Sequence, residues 1–323
     1  MDFLKRILVP FSVTIVLLIG YHLLENNYLS AQKPSSQETQ VLPYNLNNDD
    51  NAAVKTSSPQ RIHPVRIKGD FNFAGELAPL HQLEVRERLD RELLVNTFWH
   101  SNTMLSYKLA MKYFETIEPI LEKNGVPKDF KYLAVAESGL RHVVSPSGAA
   151  GFWQFLKGTA QDFNLEVNNY VDERYHLEKA TEAACKYILE AKEKFGTWTL
   201  AAASYNIGMS RLQSIVDKQK VDSYYDLHLN DETARYVFRI MAYKALFTNP
   251  EDFGYTFIPE DLYQNYAYKT VEVTSSIHDL AEFALENNTN YKLLKYMNPW
   301  LRNSKLIVAP DKTYKLKIAL EEQ

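Results

Sequence analysis

The sequence contains almost no cysteine, and its histidines follow no metal-binding pattern. Only one of the 323 residues is a cysteine, Cys185, so the chain cannot form an internal disulfide or a cysteine-based metal site. The eight histidines show no HExxH or similar ligand spacing, which argues against a zinc enzyme. We therefore expect a protein without a metal and without another cofactor.

Runs of positive charge are also missing. Lysine and arginine (36) do not outnumber aspartate and glutamate (40), and the formal net charge is −4 at pH 7. Because nucleic acids are bound mainly through clustered cations, nucleic acid is not an expected partner. The composition, 46% hydrophobic and 24% charged, is typical of a chain with a sizeable core. The length indicates two domains, or one domain with an appendage.

The longest uncharged stretch lies at the N-terminus. Lys5 and Arg6 precede residues 7–24, which contain no aspartate, glutamate, lysine or arginine. This stretch is short for a membrane span and long for a signal-peptide core. We expect residues 1–24 to be an uncleaved membrane anchor, and a signal removed after Ala31 is the alternative. Positive charge before the stretch predicts a cytoplasmic N-terminus, which places the rest of the chain outside the cytoplasm in either case.

Three further segments are predicted from the pattern of residues. Residues 25–70 are rich in Asn, Ser, Gln, Pro and Asp and are predicted to form a disordered tether. Residues 71–258 are predicted to form a helical domain, because apolar residues recur at helical spacing; Thr181 and Asp231 are predicted N-caps of two of its helices. Residues 259–323 are predicted to form a small β-α-α-β unit. Its predicted strands are 270–274 and 314–319, and its predicted helices are 277–286 and 291–297.

Glu137 stands out within the helical region. It follows the apolar run Tyr132–Ala136 and shares a helical stripe with Phe130, Leu133 and Ala134. Burial raises the pKa of a carboxyl group, and a protonated glutamic acid in a cleft can donate a proton to a glycosidic oxygen. The same pattern also fits a glutamate that points into solvent or pairs with Arg141, and the helix pattern alone leaves these alternatives open.

Four motifs follow one another in a fixed order around Glu137. They are Glu137-Ser138, Gly148-Ala149-Ala150-Gly151-Phe152-Trp153-Gln154, Tyr205-Asn206-Ile207-Gly208 and Glu232-Thr233-Ala234-Arg235-Tyr236. This ordered set resembles the soluble lytic transglycosylase (SLT) family, and the flanking segments are most similar to its membrane-bound D-type members. The resemblance covers residues 73–247. It implies a mainly α, lysozyme-like (goose-type) catalytic domain.

The resemblance also implies a function and a set of site residues. Peptidoglycan glycan strands would be the substrate, and Glu137 would be the catalytic acid and base. Glu137 would cleave the bond between N-acetylmuramic acid and N-acetylglucosamine and leave a 1,6-anhydro ring. The residues expected to contact substrate are Ser138, Gly148, Gly151, Gln154, Tyr205, Asn206 and Tyr236, and Tyr236 would also orient Glu137. Such an enzyme would act on the periplasmic side of a bacterial membrane, as a monomer held by its N-terminal segment.

Alternatives remain open at this stage. A muramidase would hydrolyse the same bond with water, and a non-catalytic glycan-binding protein could use the same scaffold. Asp162, Asp172 and Glu173 are the nearest candidates for a second carboxylate, although Asp172 and Glu173 also fit a role in starting a helix. The C-terminal unit resembles a degenerate LysM module that lacks the usual Gly-Asp-Thr turn. Glycan binding and simple packing are both possible roles for it.

Overall fold

The computed structural model describes residues 63–320. The predicted anchor, residues 1–24, lies outside the described residues, as does the predicted tether as far as residue 62. Within 63–320, no helix combines the length and the apolar character needed to cross a membrane.

The prediction of a mainly α fold is confirmed. Eight α-helices precede the C-terminal unit in the described part of the chain. They are α1 (Leu83–Phe98), α2 (His100–Lys123), α3 (Lys131–Ser138), α4 (Lys157–Asp162), α5 (Leu177–Phe195), α6 (Trp198–Ile207), α7 (Met209–Gln219) and α8 (Asp231–Thr248). A short hairpin of β1 (Asn72–Phe73) and β2 (Glu76–Leu77) comes before them. The hairpin was not predicted, because strands of two residues are too short to show an alternating pattern.

Two predicted helix starts are wrong. α5 begins at Leu177, so Thr181 lies inside the helix and does not cap it. The Thr181 hydroxyl donates to Leu177 O and accepts a hydrogen bond from Trp153 Nε1, and it therefore anchors a buried tryptophan. α8 is capped by Asn230, whose side chain accepts from Thr233 N, and Asp231 is the first helical residue.

Helix α3 lies in the centre of the helical core. Tyr132, Leu133, Ala134 and Val135 are all buried, so the helix is covered on nearly every side. Complete burial of a side chain such as Leu133 or Val135 contributes about 1.5–3 kcal/mol to folding. The helix ends at Ser138, and the next residue, Gly139, caps it in a left-handed conformation with φ of 58°. The tight core and this sharp end together fix the position of the last turn, which carries Glu137.

The C-terminal unit has the predicted β-α-α-β order. It consists of β3 (Tyr268–Val273), α9 (Leu280–Glu286), α10 (Tyr291–Met297) and β4 (Tyr314–Ala319), and the two strands pair antiparallel. α9 starts three residues later than predicted, because the Asp279 carboxylate accepts from the backbone N–H groups of Ala281 and Glu282 and so caps the helix there. The buried Asn298 side chain exchanges hydrogen bonds with Lys317 N and O, which ties the end of α10 to β4.

The C-terminal unit packs directly on the helical region. Val171 forms a β-bridge with Leu301, and Asp172 N donates to Trp300 O over 2.9 Å. Ala150 belongs to the same buried cluster as residues of the C-terminal unit. The C-terminal unit therefore packs against the loop that contains the glycine motif and supports it.

Candidate active site

A pocket of about 390 Å³ opens at the end of α3. Helices α1, α2, α3 and α8 contribute its walls. Its charged lining residues are Glu92, Glu137, Arg91, Arg141, Arg235 and Arg239, and Trp99, Asn102 and Tyr243 are among the remaining lining residues. The pocket thus combines carboxyl groups and guanidinium groups with aromatic and amide surfaces.

Glu137 lies in this pocket and is partly accessible from it. Protein atoms surround the carboxyl group on its other sides, and this burial raises its pKa to about 7. A hydrogen bond from Tyr236 and the charge of Arg239 act in the opposite direction but do not cancel the effect of burial. A large fraction of Glu137 is therefore protonated near neutral pH.

Tyr236 is the direct partner of Glu137. It is buried on α8, and its hydroxyl donates a hydrogen bond to Glu137 Oε1. The pKa of Tyr236 is raised well above its usual value by burial and by the neighbouring Glu137, so the phenol keeps its proton and remains a donor. This contact joins two motifs that are 99 residues apart in the sequence.

The glycine motif forms a tight loop beside α3. Gly151 has a φ of 79°, and a Cβ atom placed on it would lie 1.9 Å from Arg174 O, so no other residue fits. Ser138 Oγ donates to Phe152 O over 2.8 Å, and Gln154 Nε2 donates to Gly151 O over 2.8 Å. Ser138 and Gln154 thus use hydrogen-bond donors to hold the loop in place.

The remaining predicted residues lie around this loop. Tyr205 OH donates to Trp153 O over 2.8 Å, and Asn206 Oδ1 accepts from Thr233 Oγ1 over 2.7 Å. Gly148 is exposed, and its carbonyl accepts from Arg174 Nη1. Of the eight predicted site residues, Glu137 and Ser138 line the 390 Å³ pocket itself. The substrate contacts of the other six remain predictions.

Two family models match the chain. Residues 115–227 match the transglycosylase SLT domain, and residues 269–322 match the soluble lytic transglycosylase C-terminal LysM-like domain. The chain therefore contains an SLT transglycosylase domain followed by an SLT-type LysM-like domain. The resemblance seen in the sequence and the lysozyme-like fold it implies are thereby confirmed, as is the LysM-like nature of the C-terminal unit. A comparison with curated proteins found no match.

The SLT family is one of peptidoglycan lytic transglycosylases, and the two matched domains point to binding of peptidoglycan. The SLT match spans Glu137, the glycine loop and the Tyr205-Asn206 pair. It ends at residue 227, before Tyr236, so the hydrogen bond from Tyr236 to Glu137 is independent information about the site.

Asp172 and Glu173, two of the three candidates for a second carboxylate, stabilise the SLT domain through local contacts. Asp172 is bound by Arg174 over 2.7 Å and caps the short turn that precedes α5. Glu173 is buried, pairs with Lys179 and accepts from Glu166 N. Neither of them, nor Asp162, lines the Glu137 pocket. Between residues 63 and 320, no group of three or more His, Cys, Asp or Glu side chains could hold a metal ion.

Sequence analysis missed a second glutamate in the pocket. Glu92 on α1 is 2% exposed and is contacted by Arg91, Arg235 and Arg239 at 2.6, 3.3 and 3.3 Å. The signal was present in the sequence. Glu92 shares a stripe with buried Leu89, as Glu137 does with Leu133, and the same search would have found both.

The alternative pairing of Glu137 with Arg141 does not occur. Arg141 Nε donates to Ser138 O, and its Nη2 donates to Asn102 Oδ1, each over 3.2 Å. Both acceptors are neutral. The Glu137 carboxyl group is left with a phenol as its hydrogen-bond partner in the described part of the chain.

Proposed function

We propose that the protein cleaves the β-1,4 bond between N-acetylmuramic acid and N-acetylglucosamine in peptidoglycan and leaves 1,6-anhydromuramoyl ends. Glu137 is the general acid and then the general base. The observation that carries the proposal is the environment of Glu137. Glu137 is a carboxyl group with a raised pKa in an open pocket. It accepts a hydrogen bond from Tyr236 and forms no salt bridge with an arginine or lysine of residues 63–320.

The reaction has two proton transfers that share one residue. In the first, Glu137 donates its proton to the glycosidic oxygen, the bond to the muramoyl C1 breaks, and N-acetylglucosamine leaves with a free hydroxyl. In the second, the Glu137 carboxylate removes the proton from the muramoyl C6 hydroxyl, whose oxygen forms a bond to C1. Glu137 ends the cycle protonated, and no water is consumed.

A single carboxyl group is sufficient for this route. Most glycosidases need a second carboxylate, either to activate a water or to act as a nucleophile. Here the C6 hydroxyl of the substrate is the nucleophile, and the other carboxylate of the pocket, Glu92, is engaged by three arginines. A muramidase acting with water is the second candidate. A purely binding role is disfavoured, because a buried acid costs folding free energy without improving glycan affinity.

The surrounding residues have supporting roles in this proposal. Tyr236 orients the Glu137 carboxyl group, while Ser138, Gln154 and Tyr205 hold the glycine loop against α3. Asn206 contacts the sugar through its amide nitrogen, since its oxygen already accepts from Thr233.

We also propose that the chain acts at the outer face of a bacterial cytoplasmic membrane as a monomer. The uncharged stretch 7–24 after Lys5 and Arg6 supports an N-terminal anchor, and peptidoglycan lies outside the cytoplasm. Fractionation of cells tests this placement. Full-length protein is expected in the membrane fraction even in high salt, because apolar burial is not screened by ions, and recovery from the cytosol alone would contradict it.

Product analysis in isotopically labelled water tests the reaction. Purified peptidoglycan is digested in H₂¹⁸O and the fragments are analysed by mass spectrometry. Anhydro products are expected to be lighter than hydrolysis products by one water and to contain no ¹⁸O. Fragments that all end in reducing sugars and carry ¹⁸O would instead identify a muramidase.

A further inference from the structure

Arg141 differs from the other three arginines that line the Glu137 pocket. Arg91, Arg235 and Arg239 each contact a carboxylate, Glu92 or Glu232. The two contacts of Arg141 are to neutral oxygens, Ser138 O and Asn102 Oδ1. Among the described residues, its positive charge is not balanced by an acidic partner.

The position of this charge is set by the end of α3. Arg141 Nε donates a hydrogen bond to the carbonyl oxygen of Ser138, the residue that follows Glu137. A Cβ atom on Gly139 would lie 3.2 Å from both Arg141 Nε and Arg141 Nη2. The left-handed Gly139 thus lets the guanidinium lie close against the backbone. The contact to Asn102 on α2 holds the outer edge of the group. The guanidinium is therefore fixed beside the catalytic acid.

Arg141 also has unused donors. A guanidinium carries five N–H groups, and two of these are used by Ser138 and Asn102. The residue is exposed and lines the pocket, so the remaining donors are accessible to a ligand. A planar fork of this kind matches a carboxylate group, with which it can form two parallel charge-assisted hydrogen bonds.

We propose that Arg141 binds a carboxylate of the substrate next to the scissile bond and makes the enzyme selective for anionic glycan strands. The inference rests on the proposed function. The sugar backbone is neutral, so the carboxylate comes from one of two sources. One is the lactyl group of a muramic acid that has lost its peptide, and the other is the peptide stem itself.

Three substrates separate these sources. They are peptide-free strands with free lactyl carboxylates, the same strands after conversion of those groups to neutral methylamides, and peptide-bearing strands. The quantity compared is the ratio of kcat/KM for an anionic strand to kcat/KM for the neutral strand. Arg141→Gln is expected to lower this ratio about tenfold to a hundredfold, the scale of a lost charged hydrogen bond. Arg141→Lys keeps the charge and is expected to retain part of the selectivity.

The control is Arg211→Gln, which removes an exposed arginine that does not line the Glu137 pocket. The ratio for this variant is expected to match that of the wild type. A fall of the ratio on peptide-free strands identifies the lactyl carboxylate, and a fall only on peptide-bearing strands identifies the stem. An unchanged ratio in Arg141→Gln on both anionic strands overturns the proposal, including the case in which activity falls equally on all strands.

The proposal can fail separately from the proposed function. If the wild type cleaves no strand, the reaction assigned to the protein is wrong. Calorimetric binding of the same three strands by Glu137→Gln then still tests Arg141. Tighter binding of anionic than of neutral strands, lost when Arg141→Gln is added, supports the carboxylate site, and equal binding of all strands by Glu137→Gln contradicts it.

Discussion

Two glutamates line one pocket in opposite electrostatic surroundings. Glu137, at the end of α3, receives a hydrogen bond from the neutral phenol of Tyr236. Glu92, on α1, is contacted by three guanidinium groups. Both lie on apolar helical stripes, so burial penalises the charge of each. The difference between them is the presence of cations, which can offset that penalty at Glu92 and do so only weakly at Glu137.

One pocket thus holds both a carboxyl group without a salt bridge, Glu137, and a cluster of charges around Glu92 that connects its walls. The arginines around Glu92 come from α1 and α8, so their contacts connect two helices that form the pocket walls. Arg239 belongs to this cluster, and its positive charge also lowers the pKa of Glu137. The cluster around Glu92 is therefore coupled electrostatically to Glu137. Glu137 thus forms no salt bridge among the described residues, because Arg91, Arg235 and Arg239 contact other carboxylates and Arg141 contacts neutral oxygens.

The largest expected effect is the loss of activity in Glu137→Gln. The amide keeps the shape and the partner oxygen for Tyr236 but cannot transfer a proton. We expect the rate of peptidoglycan cleavage to fall by roughly 10²- to 10⁴-fold or more, with the fold and glycan binding retained. The assay is release of soluble fragments, and Glu87→Gln, on the exposed side of α1, is the matched control. Substantial cleavage by Glu137→Gln would mean that another residue donates the proton.

Glu92→Gln is expected to affect stability more than chemistry. Removal of the carboxylate leaves Arg91, Arg235 and Arg239 without a shared partner. We expect a loss of about 2 kcal/mol in the free energy of unfolding, less than for a fully buried pair because these arginines reach solvent. Urea denaturation measures it.

The control is Glu84→Gln on the same helix, which removes the exposed pair with Arg88 and should change the free energy of unfolding by less than about 1 kcal/mol. If the two variants unfold at the same urea concentration, the cluster around Glu92 does not stabilise the packing of α1 on α8.

Tyr236→Phe is expected to lower the rate much less than Glu137→Gln and to have a diagnostic effect on pH dependence. The hydrogen bond from Tyr236 lowers the pKa of Glu137, so its loss should raise that pKa. In the proposed mechanism activity requires protonated Glu137 and falls as pH rises, and this fall should move to higher pH in the variant. We expect about a tenfold lower rate at the optimum, from poorer orientation of the acid. The control is Tyr243→Phe on the same helix. The Tyr243 hydroxyl is bonded to Asn102 and not to Glu137, so this variant should show the fall at the wild-type pH. A shift to lower pH in Tyr236→Phe would refute the assigned contact.

Sequence analysis predicted best the features that depend on residues close in the chain. The helical stripe through Leu133 and Glu137, the glycine loop and the order of the C-terminal unit all follow from local patterns. It was wrong at Thr181, because the buried indole of Trp153, 28 residues away, uses the hydroxyl that was assigned to a cap. It missed the arginines around Glu92 for the same reason, since Arg235 and Arg239 meet Glu92 only after α8 packs on α1.

A carboxyl titration tests the central claim most directly. Protein labelled with ¹³C at the glutamate side-chain carboxyl is titrated by NMR, and Glu137→Gln identifies the resonance of Glu137. We predict one glutamate that titrates near pH 7, because burial raises the pKa of Glu137 to about 7, with its signal absent from the variant. If the resonance lost in the variant titrates below pH 5 in the wild type, Glu137 is ionised at neutral pH and the account of it as the proton donor is wrong.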